Sequence, residues 1–214
     1  MEFKKIQLNG FKSFADKTSL LIEDGLTGIV GPNGCGKSNI VESLRWCMGE
    51  TSAKSMRGSG MEDVIFSGTS NKPSKNIAEV IVNLSNDGSL GSHNYKHIPE
   101  IEIRRKIEKD KGSKFHINGK EVRAKDAQMF FADLSTGAHS PSLISQGRIG
   151  SLVTAKPSDR RAILEEAAGI SGLHARRHEA EVRLNAAENN LKRADELRRQ
   201  QEKQLANLQK QAEE

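Results

Sequence analysis

Aromatic residues are scarce in this 214-residue chain, which contains one tryptophan, one tyrosine and seven phenylalanines. Charged residues instead make up 29% of the sequence, and this combination favours a globular part joined to a long exposed helix. With only two cysteines, a disulfide framework is not expected, so the composition indicates a reducing, cytoplasmic setting. No apolar run approaches the roughly 20 residues of a membrane span, and the first residues lack the apolar core of a signal peptide.

Residues 31–38 carry the most informative motif, because they match G-x-x-x-x-G-K-[ST], the P-loop, in full. An apolar run at 26–30 predicts a buried strand before the motif. Residues 39–48 have apolar side chains at helical spacing, and Gly49 is expected to close that helix. A strand that turns through glycines into a helix directs backbone N–H groups and the positive end of the helix dipole at one point. The sequence therefore predicts a polyphosphate site.

Within the P-loop, each residue type suits phosphate binding. The glycines allow backbone angles and a close approach that a Cβ atom would block. Lys37 is expected to bring a positive charge to the β- and γ-phosphates, and the Ser38 hydroxyl to ligate Mg²⁺. The predicted nucleotide-binding residues of this segment are Gly31, Pro32, Asn33, Gly34, Cys35, Gly36, Lys37, Ser38 and Asn39.

Two further strands are predicted before the P-loop, at residues 2–9 and 20–22, and the second is expected to pair with residues 26–30. Residues 77–122 predict an antiparallel β-layer, because apolar and polar side chains alternate along much of that stretch. Within this layer, Asn118-Gly119 lies between strand formers and favours a two-residue type I′ hairpin.

Helices are predicted at residues 124–134 and 157–168, the second with Ser158 as its N-cap, and Gly169 and Gly172 are expected to interrupt it. The sequence then changes character, because leucine and alanine recur at spacings of three and four among many charged residues. This pattern predicts a coiled coil that needs a partner helix. Its seam is weak, so a solvated charged helix without a partner remains an alternative.

A P-loop ATPase also needs an acidic residue at the end of a buried strand, to hold Mg²⁺ and polarise water. Residues 20–24 end in a turn before the P-loop, and residues 80–87 alternate as a half-exposed strand does, so neither segment fits. The chain also ends within its heptads, without a cap or a helix breaker. We therefore expect these residues to be the front part of a longer protein whose further segment carries the acids.

With these motifs in view, the whole chain resembles the N-terminal head half of structural maintenance of chromosomes (SMC) proteins of the bacterial chromosome-condensation type. The most specific stretch is 156–169, immediately before the predicted coil. The other carriers of the resemblance are residues 10–18, 31–39, 45–46, 57–58, 62–68, 117–119 and 145–147.

The resemblance implies an α/β fold, the N-terminal lobe of an ABC-type P-loop ATPase head at 1–170, with an antiparallel β-layer and an emerging coiled-coil helix at 171–214. It implies ATP and Mg²⁺ as ligands and a C-terminal lobe that supplies the Walker B acids and the signature motif. Its other implied partners are a second head in a homodimer, a kleisin with its companion subunits, and double-stranded DNA bound without sequence specificity. The implied function is condensation of chromosomal DNA in the cytoplasm, without a membrane, and the chain alone is expected to hydrolyse ATP negligibly.

Further site residues follow from the resemblance. Gln146 matches a loop glutamine that ligates the metal and orients the attacking water. Arg57 matches an arginine near the phosphates, although an exposed arginine without a role is the alternative. Lys12, Ser13 and Phe14 match a turn that approaches the sugar and base, with simple packing of the turn as the alternative. Position 35 is a cysteine where many relatives carry serine. The implied kleisin surface lies near residues 176–193.

A net charge of +5 and a pI near 9.2 permit contact with DNA without establishing it. The predicted basic patch on the β-layer comprises Arg104, Arg105, Lys106, Lys109, Lys111, Lys114, Lys120, Arg123 and Lys125. The alternative is a solvated surface whose charge is offset by nearby glutamates and aspartates. Two rival functions remain at this point: an SMC-like DNA-repair ATPase, and a non-catalytic coiled-coil scaffold with a vestigial P-loop.

Overall fold

The computed structural model describes residues 2–86, 95, 97–134, 143–144, 150, 153–168 and 171–213. The chain divides into two units, Met1–Gly172 and Leu173–Glu214, beside the predicted boundary at residues 170 and 171. The first unit contains the sheet and the P-loop, and the second contains most of one long helix.

An antiparallel sheet of six strands organises the first unit, in the order β2–β1–β3–β4–β5–β6. The strands are β1 (Glu2–Asn9), β2 (Thr18–Leu21), β3 (Ile77–Ser85), β4 (Glu100–Glu108), β5 (Gly112–Ile117) and β6 (Lys120–Val122). The predicted β-layer at 77–122 is confirmed, because β3 to β6 lie side by side. Alternation along β4 buries Ile101, Ile103, Arg105 and Ile107, so one face of the sheet packs on the core.

The predicted hairpin between β5 and β6 is also confirmed. Asn118 has φ 48° and Gly119 has φ 79°, so both residues adopt the left-handed region that a type I′ turn requires. The flanking residues Ile117 and Lys120 pair across the turn. The side-chain oxygen of Asn118 accepts a 2.7 Å hydrogen bond from the backbone N–H of Glu102, which ties the turn to β4.

Four α-helices accompany the sheet within the described residues: α1 (Lys37–Cys47), α2 (Ala124–Asp133), α3 (Pro157–Ala167) and α4 (Ser171–Glu213). Gly49, with φ 101°, follows α1 as predicted for the residue that closes it. The predicted N-cap at Ser158 is wrong, because Pro157 is already helical and its fixed φ suits the first position. Gly172 lies inside α4 and does not interrupt it, whereas Gly169 lies outside the described residues.

Arg105 is a buried cation at the junction of α1 and the sheet. Its guanidinium lies between the rings of Trp46 and Phe115, 4.5 Å and 4.6 Å from their centroids. Its Nη1 atom donates to the backbone oxygens of Trp46 and Glu50, at 2.6 Å and 2.7 Å. Arg105 thereby supplies donors and a positive charge to the C-terminal end of α1, which is the negative end of the helix dipole.

Burial changes the titration of two groups in this core. It lowers the pKa of Arg105 to about 10, so the guanidinium still carries its charge at neutral pH. It raises the pKa of the Cys47 thiol to about 12, so this fully buried cysteine stays protonated. The nearby positive charge of Arg105 lowers the pKa of Cys47 by a smaller amount.

The strand predicted at 26–30 is absent, and this prediction was wrong for the described part of the chain. Leu26 and Val30 are 95% and 92% exposed. β2 pairs with β1 instead of with this segment. A strand requires a neighbour for its backbone hydrogen bonds and its apolar side chains. No described strand lies beside residues 26–30 to provide one.

Helix α4 runs from Ser171 to Glu213, as one helix of 43 residues. Its large apolar side chains are more than half exposed, for example 60% at Leu184 and 67% at Leu191. Ion pairs at helical spacing, such as Arg177 with Glu181, line its surface. No helix in the described part of the chain is long and apolar enough to span a bilayer.

Candidate nucleotide-binding site

The P-loop passes directly into the first turn of α1. Gly34 and Gly36 have φ 82° and 91°, in the region that favours glycine. Gly36 is the N-cap residue of α1 and has no side chain to bond the N–H groups that follow. No acidic residue lies in that first turn either. The N-terminal N–H groups and the helix dipole are therefore available to an anion.

Lys37 and Ser38, the first two residues of α1, provide the charge and the hydroxyl that the motif requires. The Lys37 ammonium donates to the backbone oxygens of Gly31 and Pro32, both at 2.6 Å, so it points back into the loop. It also lies 3.9 Å from the Cys35 sulfur. A triphosphate would replace these hydrogen bonds to neutral carbonyl groups with bonds between opposite charges, and the Ser38 hydroxyl is exposed and suited to Mg²⁺.

The turn at residues 10–14 packs against the P-loop. Phe11 is fully buried and forms bridges with Phe14 and Ile65, which fixes the turn on the core. The Ser13 hydroxyl accepts a 2.8 Å hydrogen bond from the Asn39 side chain in the first turn of α1. A Cβ atom on Gly36 would lie 2.8 Å from the same hydroxyl, so this glycine permits the close approach.

Lys12 and Arg57, both predicted to act near the nucleotide, meet at one glutamate. The Lys12 ammonium donates to Glu42 and to the backbone oxygen of Met56. Arg57 contacts the other carboxylate oxygen of Glu42 through Nε and donates to the Asn39 side chain through Nη2, at 2.8 Å. The structure thus brings the turn, the arginine and the first two turns of α1 together.

Glu42 is the residue that sequence reasoning missed. It is only 8% exposed, although a single glutamate in a helix is ordinarily solvated. Its position between Ile40 and Leu44, within the helix that follows the P-loop, was the available signal. That signal is weak, because the two cations that bind it come from distant parts of the sequence.

Asp63 orders the loop that carries Arg57. Its carboxylate accepts hydrogen bonds from the backbone N–H groups of Ser59 and Gly60, at 2.6 Å and 2.9 Å, and from the Ser59 hydroxyl. These bonds lower the pKa of Asp63 below its usual value. Arg57 itself has φ 55°, an uncommon conformation for arginine that this ordered loop supports.

Other predicted site features are placed differently or not described. Gln146 lies outside the described residues, so its predicted contact with the metal stays a prediction. Asp24, in the first segment that imitates a Walker B strand, is on an exposed turn and pairs with Lys4. Within the described ranges, no cluster of three or more histidine, cysteine or acidic side chains could hold a metal ion.

At least five of the nine cations in the predicted basic patch are buried or paired with an acidic side chain. Arg105 points into the core, so its inclusion in the predicted patch was wrong, and Arg104 pairs with Glu79 and Glu102. Further ion pairs join Lys111 to Glu108, Lys114 to Glu121, and Arg123 to Asp126. This arrangement favours the alternative of a solvated, balanced surface over a dedicated phosphate-binding face.

Replacing Gly10 with alanine tests whether the turn at 10–14 needs its close approach to β3. A Cβ atom there would lie 2.2 Å from the backbone oxygen of Ile77, and Gly10 has φ 63°. We expect Gly10→Ala to lower the free energy of unfolding by about 3 kcal/mol, from backbone strain plus overpacking.

The matched control for this variant is Gly25→Ala, because Gly25 has φ 84° and nothing within 4 Å of its Cβ position. We expect Gly25→Ala to lower the free energy of unfolding by about 1 kcal/mol, from backbone strain alone. Urea unfolding followed by Trp46 fluorescence measures both variants, and equal losses would show that the contact with Ile77 is unimportant.

Comparison with known proteins identifies the family. The family model for the RecF/RecN/SMC N terminal domain matches residues 2–148. The chain belongs to this family. The resemblance to SMC heads that the motifs indicate is therefore confirmed, together with the fold class inferred from it: an α/β lobe of the ABC-type head with an antiparallel β-layer and a long C-terminal helix.

Among its relatives, this SMC-family chain is 52% identical over 212 residues to the chromosome partition protein Smc of Rhodopseudomonas palustris. The match covers 99% of the chain and 18% of that protein. The chain thus spans less than a fifth of the length of this relative.

Solved SMC heads share the fold. The Smc head domain from Pyrococcus furiosus, with an extended coiled coil and bound to the C-terminal domain of ScpA, matches with a TM-score of 0.69 and 30% identity. That match covers 92% of this chain and 49% of the other. A structure from work on ATP-driven dimerization and DNA-stimulated activation of SMC ATPases matches with a TM-score of 0.67 and 28% identity, over 78% of this chain and 99% of that one.

Proposed function

We propose that this chain is the ATP-binding N-terminal lobe of an SMC head that organises and condenses chromosomal DNA in the cytoplasm. The observation that carries the proposal is the junction of the P-loop with α1. There, left-handed glycines, uncapped N–H groups and the Lys37 ammonium converge on one point. The turn at 10–14 and the loop of Arg57 both contact α1 within two turns of that point, at Asn39 and Glu42.

In this proposal the phosphates of ATP bind the backbone of residues 31–39, and Lys37 neutralises charge on the β- and γ-phosphates. Ser38 and Gln146 hold Mg²⁺, and Gln146 orients the attacking water. Arg57 stabilises charge that develops on the transferred phosphoryl group. Ser13 and Phe14 lie against Gly36, where they would line the side of the site next to the sugar and base.

In this proposal the site is completed by a further lobe of the same protein and by a second head. A C-terminal lobe of the same protein supplies the acid at the metal and a strand beside residues 26–30, whose exposed Leu26 and Val30 it would cover. A second head closes over the nucleotide in a homodimer, and a kleisin with its companion subunits and double-stranded DNA are the further partners. The dimerising and ScpA-bound heads to which this chain is similar support these proposals.

Two rival functions are less well supported. The function of a scaffold with a vestigial P-loop would not require left-handed glycines at the loop or an ordered Arg57 beside it. A repair-type SMC-like ATPase would share the head design. The 52% identity to a chromosome partition protein favours the chromosomal function over repair.

ATP turnover by the chain with and without its missing lobe tests the proposed function. We expect the chain alone to hydrolyse ATP at no more than about 1% of the rate that appears once the C-terminal lobe of the same protein is added, because removing catalytic electrostatic groups costs factors of 10² or more. Added duplex DNA should change that rate. The assay measures phosphate release in all three mixtures.

Turnover by the chain alone, abolished in Lys37→Ala, would contradict the division of the site between two lobes. Failure of the chain to bind ATP, with or without the second lobe, would instead favour the scaffold. The matched control for the two mixtures without DNA is Lys109→Ala, because Lys109 is an exposed lysine in the turn after β4 and no described contact joins its side chain to the P-loop.

A further inference from the structure

Glu42 links three segments that are far apart in the sequence. One carboxylate oxygen contacts the Lys12 ammonium, from the turn at 10–14. The other contacts Nε of Arg57, from the loop after α1. Lys12 also donates to the backbone oxygen of Met56, the residue before Arg57. The glutamate is therefore bound on both sides, and its two cations are tied to each other.

The three side chains of this arrangement differ in burial. The side chains of Glu42 and Lys12 are 10% and 13% exposed, whereas that of Arg57 is 58% exposed. A buried carboxylate keeps its charge at an acceptable cost only when its oxygens are fully bonded, so Glu42 has little freedom to turn. The guanidinium that it binds consequently has one end fixed in the protein and the other in solvent.

The fixed end of Arg57 includes a second contact. Nη2 donates to the Asn39 side chain, and Asn39 in turn donates to Ser13. Among the described residues, none accepts a hydrogen bond from the remaining nitrogen, Nη1. Arginine presents its donors in a rigid plane, so fixing Nε and Nη2 also fixes the direction of Nη1. Asn39, which holds Nη2, lies in the first turn of α1, two residues after Lys37.

We propose that Glu42 is a positioning residue for hydrolysis, which orients the Arg57 guanidinium toward the phosphate site and neutralises Lys12. This inference rests on the proposed function, because it acts through the role of Arg57 at bound ATP. Glu42 does not touch the nucleotide. Its contribution is to the rate of the chemical step, since a preoriented donor needs no rearrangement when charge develops.

The effect of removing the Glu42 charge on ATP affinity and on rate distinguishes this role from that of a purely structural ion pair. Removing the carboxylate leaves Lys12 and Arg57 as two uncompensated cations beside a site for a polyanion. Attraction for ATP should then stay equal or rise, while the rate falls because Arg57 is no longer oriented. Damage to the fold would lower both the affinity for ATP and the rate. A lower rate with an equal or higher affinity therefore indicates positioning.

The experiment compares four variants in the full-length protein: Glu42→Gln, Arg57→Gln, their combination, and Glu79→Gln as the matched control. Glu79 is a partly exposed glutamate that pairs with Arg104 on the sheet, at 3.6 Å, and its loss should change neither quantity. We expect Glu42→Gln to lower kcat by about 10-fold and to leave the Kd for ATP equal or up to about 3-fold tighter. In the Arg57→Gln background, Glu42→Gln should lower kcat no further.

A fifth variant controls for possible misfolding of Glu42→Gln. Glu42→Gln alone leaves a buried lysine without its partner, which could unfold the protein. Lys12→Met with Glu42→Gln removes both charges and keeps similar volumes, so the fold should persist while Arg57 still loses its anchor. We expect the same fall of about 10-fold in kcat as in Glu42→Gln.

The remaining outcomes each overturn one idea. A full additional loss in the Arg57→Gln background, or an unchanged kcat in the Lys12→Met variant, would show that Glu42 does not act through Arg57. An unchanged kcat in Arg57→Gln, with ATP binding still dependent on Lys37, would overturn the positioning role but leave the proposed ATP site intact. ATP binding that does not depend on Lys37 would overturn the proposed function itself.

Discussion

Replacing Lys37 with alanine is expected to weaken ATP binding by the complete head at least about 100-fold and to abolish measurable hydrolysis. The ammonium lies within the loop, 2.6 Å from the backbone oxygens of Gly31 and Pro32, where it would meet the β- and γ-phosphates. No other described lysine contacts the loop in this way, so nothing nearby replaces its charge. Calorimetric titration with ATP in the presence of Mg²⁺ measures the loss.

The control for this titration is again Lys109→Ala, which removes an equal charge from an exposed turn. Its ATP affinity should match that of the unaltered protein, because this exposed charge makes no described contact with the loop and is screened by salt. Equal affinities for Lys37→Ala and Lys109→Ala would mean that the nucleotide binds elsewhere, and the functional proposal would then be abandoned.

Replacing Arg105 with methionine is expected to lower the free energy of unfolding by about 3 kcal/mol, since it removes a buried cation–π contact with two rings and two hydrogen bonds to backbone carbonyl groups. The carbonyls are those of Trp46 and Glu50, and the rings are those of Trp46 and Phe115. Methionine fills much of the same space, so the loss reports the missing donors and charge more than a cavity. Urea unfolding followed by fluorescence of the single tryptophan measures it.

Arg104→Met is the matched control, because Arg104 is the neighbouring residue on the opposite face of β4. Its ion pairs with Glu79 and Glu102 are partly exposed, and such pairs contribute at most about 1 kcal/mol. If both variants lowered the free energy of unfolding equally, the buried contacts of Arg105 would add no stability beyond that of an exposed arginine. A loss confined to Arg105 would identify it as the residue that joins α1 to the sheet.

Features governed by local rules were predictable from the sequence. Asn118-Gly119 specifies a type I′ turn through its own backbone preferences, and Gly49 closes α1 for the same reason. The P-loop glycines are likewise local requirements. Alternation predicted half-buried strands in the β-layer, and β4 buries one of its faces as expected. These signals operate within a few residues and need no knowledge of the rest of the molecule.

The errors arose where burial depends on distant segments. Residues 26–30 have the apolar composition of a buried strand, yet they are exposed because no described strand lies beside them. Glu42 looks like an ordinary helix glutamate until the fold brings Lys12 and Arg57 to it. The residue type of Ser158 predicts a cap, yet Pro157 itself begins the helix. Pairing across long sequence separations leaves no mark that a single sequence reveals.

The two cysteines differ in exposure, so a thiol reagent can label the nucleotide loop selectively. Cys35 is exposed on the loop beside Lys37, whereas Cys47 is buried between α1 and the sheet with its thiol protonated. A thiol-directed fluorophore would attach at the loop and leave the core untouched. The chain thus carries a single natural attachment point for a reporter at the place where ATP is proposed to bind.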